Sequence, residues 1–211
     1  MLIKFPKIDQ IKLQSWLLSL GIFIGVLLIV GAILSSIKIT TYATYTDPKS
    51  GIRVKFPAYW KVIDRPEGGA LVAFLTPKSN DMDVFIENVN ISVKDMSGTP
   101  MTPMEFSRET IKQLTGTFAG FISVLESQPM TVAYRPGYKF VYIGDVSKEN
   151  LETVKAEYGI SNLDNSNPLE YMYVWVLKDN RAYIMTYVAQ KSEFDKYLKE
   201  VNVIIRSFEF I

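Results

Sequence analysis

The strongest pattern in the chain is an unbroken apolar run near its start. Residues 13–37 contain no charged side chain, and Lys12 and Lys38 bound the run. Its dense part, residues 16–37, is 22 residues long. At about 1.5 Å per residue, a helix of that length crosses the ~30 Å hydrocarbon core of a bilayer. We therefore predict a transmembrane signal-anchor helix over residues 15–37.

The run has two alternative interpretations, a buried core helix and a cleaved signal peptide. A buried core helix normally keeps a polar face, and none interrupts this run. A cleaved signal peptide would use a small-residue site such as Val30-Gly31-Ala32, but that site lies inside the apolar run. The run is also longer than the usual ~7–15-residue signal core. We favour an uncleaved anchor.

The charges that flank the run predict its orientation. Lys4, Lys7 and Lys12 precede it, whereas Lys38 is the one basic residue between the run and Lys49. Positively charged flanks stay in the cytoplasm. Residues 1–14 are therefore expected to form a short cytoplasmic tail, with the rest of the chain outside. The predicted location is a membrane that the chain crosses once.

Two glycines in the predicted span have the spacing of a helix-packing motif. Gly21 and Gly25 form a GxxxG, which lets two helix backbones approach closely. Self-association through this pair is one interpretation. The other is chance, because such spacing is common in membrane helices.

Beyond a short tether, residues 38–44, the pattern changes to that of a folded domain over residues 45–211. Residues 52–56 alternate apolar and charged side chains, which is typical of a strand with one wet face. Residues 171–177 and 182–189 are apolar or aromatic on both faces and flank a four-residue turn. A strand of that kind is covered on both sides. We therefore predict an α+β fold, with a central antiparallel sheet covered by helices on both faces (an α-β-α sandwich).

Two helices are predicted in this domain. Thr102-Pro103-Met104-Glu105 combines a cap residue, a proline at the first helical position and an acid three residues after the cap. That helix should run to about residue 115 with Met104, Ile111 and Leu114 inward. The second helix should be capped by Ser192. Its apolar stripe comprises Phe194, Tyr197, Leu198, Val201, Ile204, Ile205 and Phe208.

Composition removes several classes of chemistry. The chain has neither histidine nor cysteine, so imidazole bases, thiol nucleophiles, disulfides and thiolate metal sites are excluded. With 23 basic and 22 acidic residues, the net charge of +1 gives no footprint for nucleic acid.

The domain resembles the PsbP family, the extrinsic proteins of photosystem II and their prokaryotic relatives. The similarity is carried by residues 44–62, 88–93, the helix over 102–114, residues 181–198 and the closing residues 204–210. The resemblance implies an α-β-α sandwich placed outside the cytoplasm, at a cell or thylakoid-type membrane. In photosystem proteins it also implies docking and the retention of calcium or chloride.

Oxygen ligands that could hold calcium occur in two polar stretches. Asp81 and Asp83 share one, and Asp164 and Glu170 belong to the other. A calcium site usually gathers about six to eight oxygen ligands, and neither stretch supplies more than two acidic side chains. We interpret the first as a solvated acidic loop and the second as a flexible Asn/Ser linker, and we predict no metal site, no cofactor and no catalytic residue.

We therefore expect a non-enzymatic, membrane-anchored binding or accessory module of a membrane protein complex. The alternative is a carboxylate-based enzyme, or an enzyme accessory, that acts on cell-envelope polymers. A pocket with two facing carboxylates would favour the enzyme, whereas a flat apolar patch with no such pocket would favour the binding module.

The predicted orientation can be tested with protease. Protease added to intact cells or spheroplasts should digest residues 45–211, because they lie outside the cytoplasm, and immunoblotting of a tag fused before Met1 should reveal a small protected fragment. A domain that stays intact until the cells are lysed would contradict this orientation.

Overall fold

Ten strands and two α-helices make up the part of the chain that the structure describes. The structure is a computed structural model, and it describes residues 40–78, 85–117, 122–144 and 168–211. The strands are β1 (Tyr42–Asp47), β2 (Ile52–Pro57), β3 (Lys61–Asp64), β4 (Val72–Leu75), β5 (Asn88–Asp95), β6 (Ile122–Val132), β7 (Arg135–Gly144), β8 (Leu169–Lys178), β9 (Arg181–Gln190) and β10 (Glu209–Phe210). The helices are α1 (Pro103–Thr117) and α2 (Leu198–Ser207), the latter preceded by a 3₁₀ turn, Phe194–Tyr197.

The predicted tail, anchor and Gly21/Gly25 motif lie outside the described residues, as do the first two residues of the predicted tether. Among the described residues, none of the helices has the length and apolar character needed to span a bilayer. The folded unit begins at Thr41, and β1 takes in residues 42–44, which the sequence had placed in the tether. Tyr42 pairs with Pro57 of β2, so the Thr- and Tyr-rich segment is sheet rather than linker.

The strands form two antiparallel sheets. The larger has the order β3-β4-β5-β9-β8-β7-β6, and the smaller has the order β1-β2-β10. In the larger sheet β8 and β9 are central, and they pair along their full length from Leu169 opposite Gln190 to Lys178 opposite Arg181. The two-faced apolar pattern of this hairpin correctly predicted its central place and its antiparallel pairing.

One face of the large sheet is covered jointly by the small sheet and by α2. Alternate residues of β8 and β9, such as Val174 and Met185, share one apolar cluster with Val54 of β2 and with Val201 and Ile204 of α2. The tyrosine hydroxyl of Tyr187 in β9 donates a hydrogen bond to the carbonyl of Phe194 (2.9 Å) at the entrance to α2.

The opposite face of the sheet is covered by α1. Phe106 packs edge-on against Trp175 of β8, with ring centroids 6.1 Å apart, and Tyr138 of β7 stacks on the same indole. The indole N–H of Trp175 donates to Ser107 Oγ at 2.9 Å. Trp175 therefore fixes α1 on the sheet by packing and by one buried hydrogen bond.

The α+β class and the antiparallel sheet are confirmed, but the expectation of helices on both faces overstated the helix content. Strands account for 51% of the described residues and helices for 20%. A three-stranded sheet supplies much of one cover, because β2 presents Ile52, Val54 and Phe56 inward on alternate positions.

The predicted starts of the two helices had different outcomes. Thr102 and Glu105 form the expected reciprocal cap, with Glu105 Oε2 accepting from the Thr102 amide at 2.8 Å. Met104 is exposed rather than inward, and Phe106 occupies the buried position. Ser192 does not cap the last helix: the chain first makes the 3₁₀ turn, and no side chain caps either segment. The apolar stripe itself is buried, with Leu198 partly so.

Gly137 provides a test of the packing between β7 and β8. A Cβ at this position would lie 2.6 Å from the Trp175 carbonyl oxygen and 3.0 Å from Val132 Cγ2. Neither backbone nor a buried valine can yield cheaply, so Gly137→Ala should lower the free energy of unfolding by about 1–3 kcal/mol. Urea denaturation measures this change.

Gly98→Ala is the matched control, because a Cβ at Gly98 meets nothing within 4 Å. Its stability should stay within about 0.5 kcal/mol of the parent. Equal effects of the two substitutions would show that the approach of β7 to β8 is not tight.

Candidate functional site

The turn between β6 and β7 has an unusual backbone for its residues. Val132 pairs with Arg135, so Ala133 and Tyr134 form a two-residue hairpin turn. Both have positive φ, 48° and 60°. Turns of this type favour Asn and Gly, because most side chains are strained in the left-handed region. The Tyr134 side chain is fully exposed at the tip.

Next to this turn, a serine joins the end of α2 to β2. Ser207 Oγ accepts a hydrogen bond from the Lys55 amide at 2.9 Å, and its hydroxyl lies 3.0 Å from the Ile204 carbonyl that it can donate to. Two residues later, Glu209 of β10 lies directly opposite Arg53 of β2, and their side chains form an ion pair at 3.2 Å.

These segments enclose a cavity of about 430 Å³, which we call the basic groove. Arg53 and Lys55 of β2, residues 130–134 and residues 205–209 line it. Its apolar lining comes from buried Val132, Ile205 and Phe208. The volume lies within the range of ligand pockets in proteins.

Positive charge dominates the lining of the basic groove. Neither Lys55 nor Arg206 forms an ion pair with a described residue, and both are exposed, whereas Arg53 is paired with Glu209. Residues 45–211 as a whole hold 19 basic and 21 acidic residues, so this is a local excess on a slightly acidic domain. The groove can therefore attract negative charge while its apolar lining contacts carbon.

A second group of ionisable side chains lies inside the fold at one end of the large sheet. Glu87 and Glu170 are only 2% and 9% exposed. Thr76 Oγ1 donates a hydrogen bond to Glu87 Oε2 at 3.3 Å across the β4–β5 ladder. Glu170 and Ala189 are cross-strand partners in β8 and β9.

Burial and nearby charges shift the pKa values of two buried side chains in this region, Glu170 and Tyr187. Burial raises the pKa of Glu170, the charge of Asp195 adds to the increase, and Lys191 partly opposes it. Burial also raises the pKa of Tyr187, with a further contribution from the charge of Glu87. Tyr187 is therefore a neutral hydrogen-bond donor at physiological pH.

The calcium candidates from the sequence have different outcomes. Asp81, Asp83 and Asp164 lie outside the described residues. Glu170 lies in β8, where its carboxylate is buried rather than in a polar loop. Within the described part of the chain, no three Asp, Glu, His or Cys side chains are grouped so that they could hold a metal ion.

Sequence reasoning did not find the basic groove. Its residues come from three separate parts of the chain, and Arg53, Lys55 and Arg206 each look like an ordinary solvated position of a strand or helix. One signal was available: the alternation of residues 130–132 and 138–143 implies a hairpin, although Ala133 and Tyr134 are poor turn formers.

Comparison with known proteins agrees with the architecture. The domain is of the α+β class, with a large antiparallel sheet covered on one face by a helix and on the other by a small sheet and a helix. The sequence profile of the PsbP family matches residues 40–210, and the chain belongs to that family. No curated protein matches the chain by sequence.

Two solved structures share the fold. The solution structure of cyanobacterial PsbP (CyanoP) from Synechocystis aligns with a TM-score of 0.52 at 13% identity, covering 83% of this chain and 96% of that one. The Ran-binding protein Mog1p from Saccharomyces cerevisiae aligns with a TM-score of 0.50 at 7% identity, covering 82% and 96%.

Glu170→Gln tests the state of the buried carboxyl. Because the pKa of Glu170 is raised in the fold, the folded protein is more stable with this carboxyl protonated than with it ionised. The free energy of unfolding therefore falls as the pH rises through that pKa. Glu170→Gln should therefore raise the melting temperature at pH 7, and the gain should shrink as the pH falls towards 4.

Glu67→Gln, at an exposed turn position, is the control for the loss of one negative charge. It should change the melting temperature little at either pH. A Glu170→Gln variant that melts below the parent at pH 7 would mean that the ionised carboxylate stabilises the fold.

Proposed function

We propose that this chain is a membrane-anchored, non-enzymatic accessory or binding module of a membrane protein complex, with its PsbP domain outside the cytoplasm. In this arrangement the N-terminal helix holds the domain at the membrane surface. The domain then docks to a protein of the same membrane.

The observation that carries the proposal is the basic groove. It combines an apolar lining, two cations without an ion-pair partner among the described residues, and an exposed tyrosine held on a strained turn. Tyrosine and arginine are enriched at the energetic centres of protein interfaces. A strained, exposed aromatic residue has a cost in the free domain that a docking contact can offset.

Family membership and fold likeness support a binding role. PsbP proteins are extrinsic components of a membrane complex, as the sequence resemblance already implied. A Ran-binding protein with the same fold indicates that this architecture can serve as a protein-binding scaffold. The buried carboxylates Glu87 and Glu170 support the enzyme alternative less well, because their environments are those of the core.

The membrane attachment rests on the apolar run and its flanking charges. The 22-residue run is long enough to span a bilayer, and the segment that precedes it is the lysine-rich flank. A tether only a few residues long follows, so the domain would remain close to the membrane surface, where a complex partner is found.

Chemical crosslinking in the native membrane tests this function. The full chain, tagged before Met1, is crosslinked, purified and analysed by mass spectrometry. We expect a defined set of membrane proteins that is captured by the full chain and not by a control comprising residues 1–40 alone. Capture of the same set by the control would contradict a docking role for the domain.

One variant distinguishes the binding module from the enzyme alternative. For a non-enzymatic module, Glu170→Gln should leave capture unchanged and should complement a deletion strain as well as the parent does. Loss of complementation by a Glu170→Gln variant that is folded and still captured would move the protein to a carboxylate-based activity.

A further inference from the structure

Two hairpin turns of the large sheet have the same backbone conformation, but only one of them has residues that suit it. At the β8–β9 turn, Asp179 and Asn180 have φ of 51° and 57°, and these residue types tolerate the left-handed region. At the β6–β7 turn the same geometry is imposed on Ala133 and Tyr134. Stability alone would favour Asn-Gly there, so the Ala-Tyr pair lacks a structural reason.

The strained turn is next to two groove cations that have no ion-pair partner in the part of the chain that the structure describes. Tyr134 lines the same cavity as Lys55 and Arg206, which come from a strand and from the end of a helix. Exposed cations spread over two elements match several carboxylates along an extended chain. A single small anion would instead call for converging donors at one buried point.

One further cation adds to the positive charge beside the groove. Arg135 directly follows the turn, and its Cζ lies 5.8 Å from the ring centroid of Phe210. Lys178 Nζ lies 4.8 Å from the same centroid, but it is paired with Asp179 at 3.7 Å. Among the described residues, Glu209 is the one acidic residue in the lining, and it is paired with Arg53. Within that part of the chain, the groove therefore keeps a local excess of positive charge.

We infer that the basic groove binds an extended acidic segment of a partner protein. The segment's carboxylates contact Lys55 and Arg206, and an apolar side chain packs between Tyr134 and the apolar lining. This inference rests on the proposed function and assigns the docking surface and the chemistry of the partner. Rim charges of this kind raise the association rate and make binding sensitive to salt.

The test uses an array of random 12-residue peptides probed with the full chain in detergent micelles. Bound peptides should be enriched in Asp and Glu, and binding of the best one should weaken as salt is raised. Lys55→Glu with Arg206→Glu should weaken that peptide's binding about tenfold or more, since each reversed rim charge removes an attraction and adds a repulsion. Lys61→Glu with Lys94→Glu, an equal charge change outside the groove, should leave it within about twofold.

The turn offers a variant whose effect is not explained by unfolding. Ala133→Asn with Tyr134→Gly supplies the preferred turn residues, so its melting temperature should rise while peptide binding falls about tenfold or more. Tyr134→Phe keeps the ring and should bind nearly as the parent does. Full binding by the Asn-Gly variant would show that Tyr134 has no part in recognition and would overturn the inference.

The remaining outcomes also decide the question. Selection of basic or uncharged peptides, or of none, overturns the inference, as does unchanged binding by the Lys55/Arg206 double variant. The chain could instead bind vesicles of phosphatidylcholine with 20% phosphatidylglycerol and select no peptide from the array. If the Lys55/Arg206 double variant abolished that vesicle binding, the partner of the groove would be a lipid surface. Normal crosslinking capture by the same variant would reject the groove as the docking site and leave the accessory function standing.

Discussion

The β8–β9 hairpin carries large apolar side chains on both of its faces, and each face must therefore be covered. One face presents Trp175 and the other presents Met172, both nearly inaccessible to solvent. Each side chain of this size contributes about 1.5–3 kcal/mol when it is buried. A cover on one side alone would leave half of that free energy unrealised. The three-layer arrangement follows from this constraint.

The two covers are fixed by different means, and each includes a polar contact to the central strands. On one side α1 is positioned by the Ser107–Trp175 hydrogen bond and by aromatic packing. On the other side Tyr187 donates to the carbonyl of Phe194, which orients the start of the last helical segment. Buried polar groups of this kind specify one arrangement of layers, because a shifted layer would leave them unpaired.

The basic groove is a consequence of how the second cover ends. After α2 the chain turns into β10, and Ser207 holds this bend against Lys55. The β6–β7 turn lies beside it and is outside the interior of the sheet, where packing would fix its residues. A position of this kind can carry a strained Tyr134 without disturbing the core.

The sequence by itself determined the features that depend on local pattern: the central hairpin, the capped start of α1, the apolar stripe of the last helix and the family resemblance. These follow from side-chain periodicity and from interactions between residues close in sequence. Only the tertiary structure decided that a small sheet shares one cover, that Glu170 is buried, and that Lys55, Arg206 and Tyr134 line one groove. Each of these depends on contacts between distant segments, and the periodicity of one segment contains no information about which other segment packs against it.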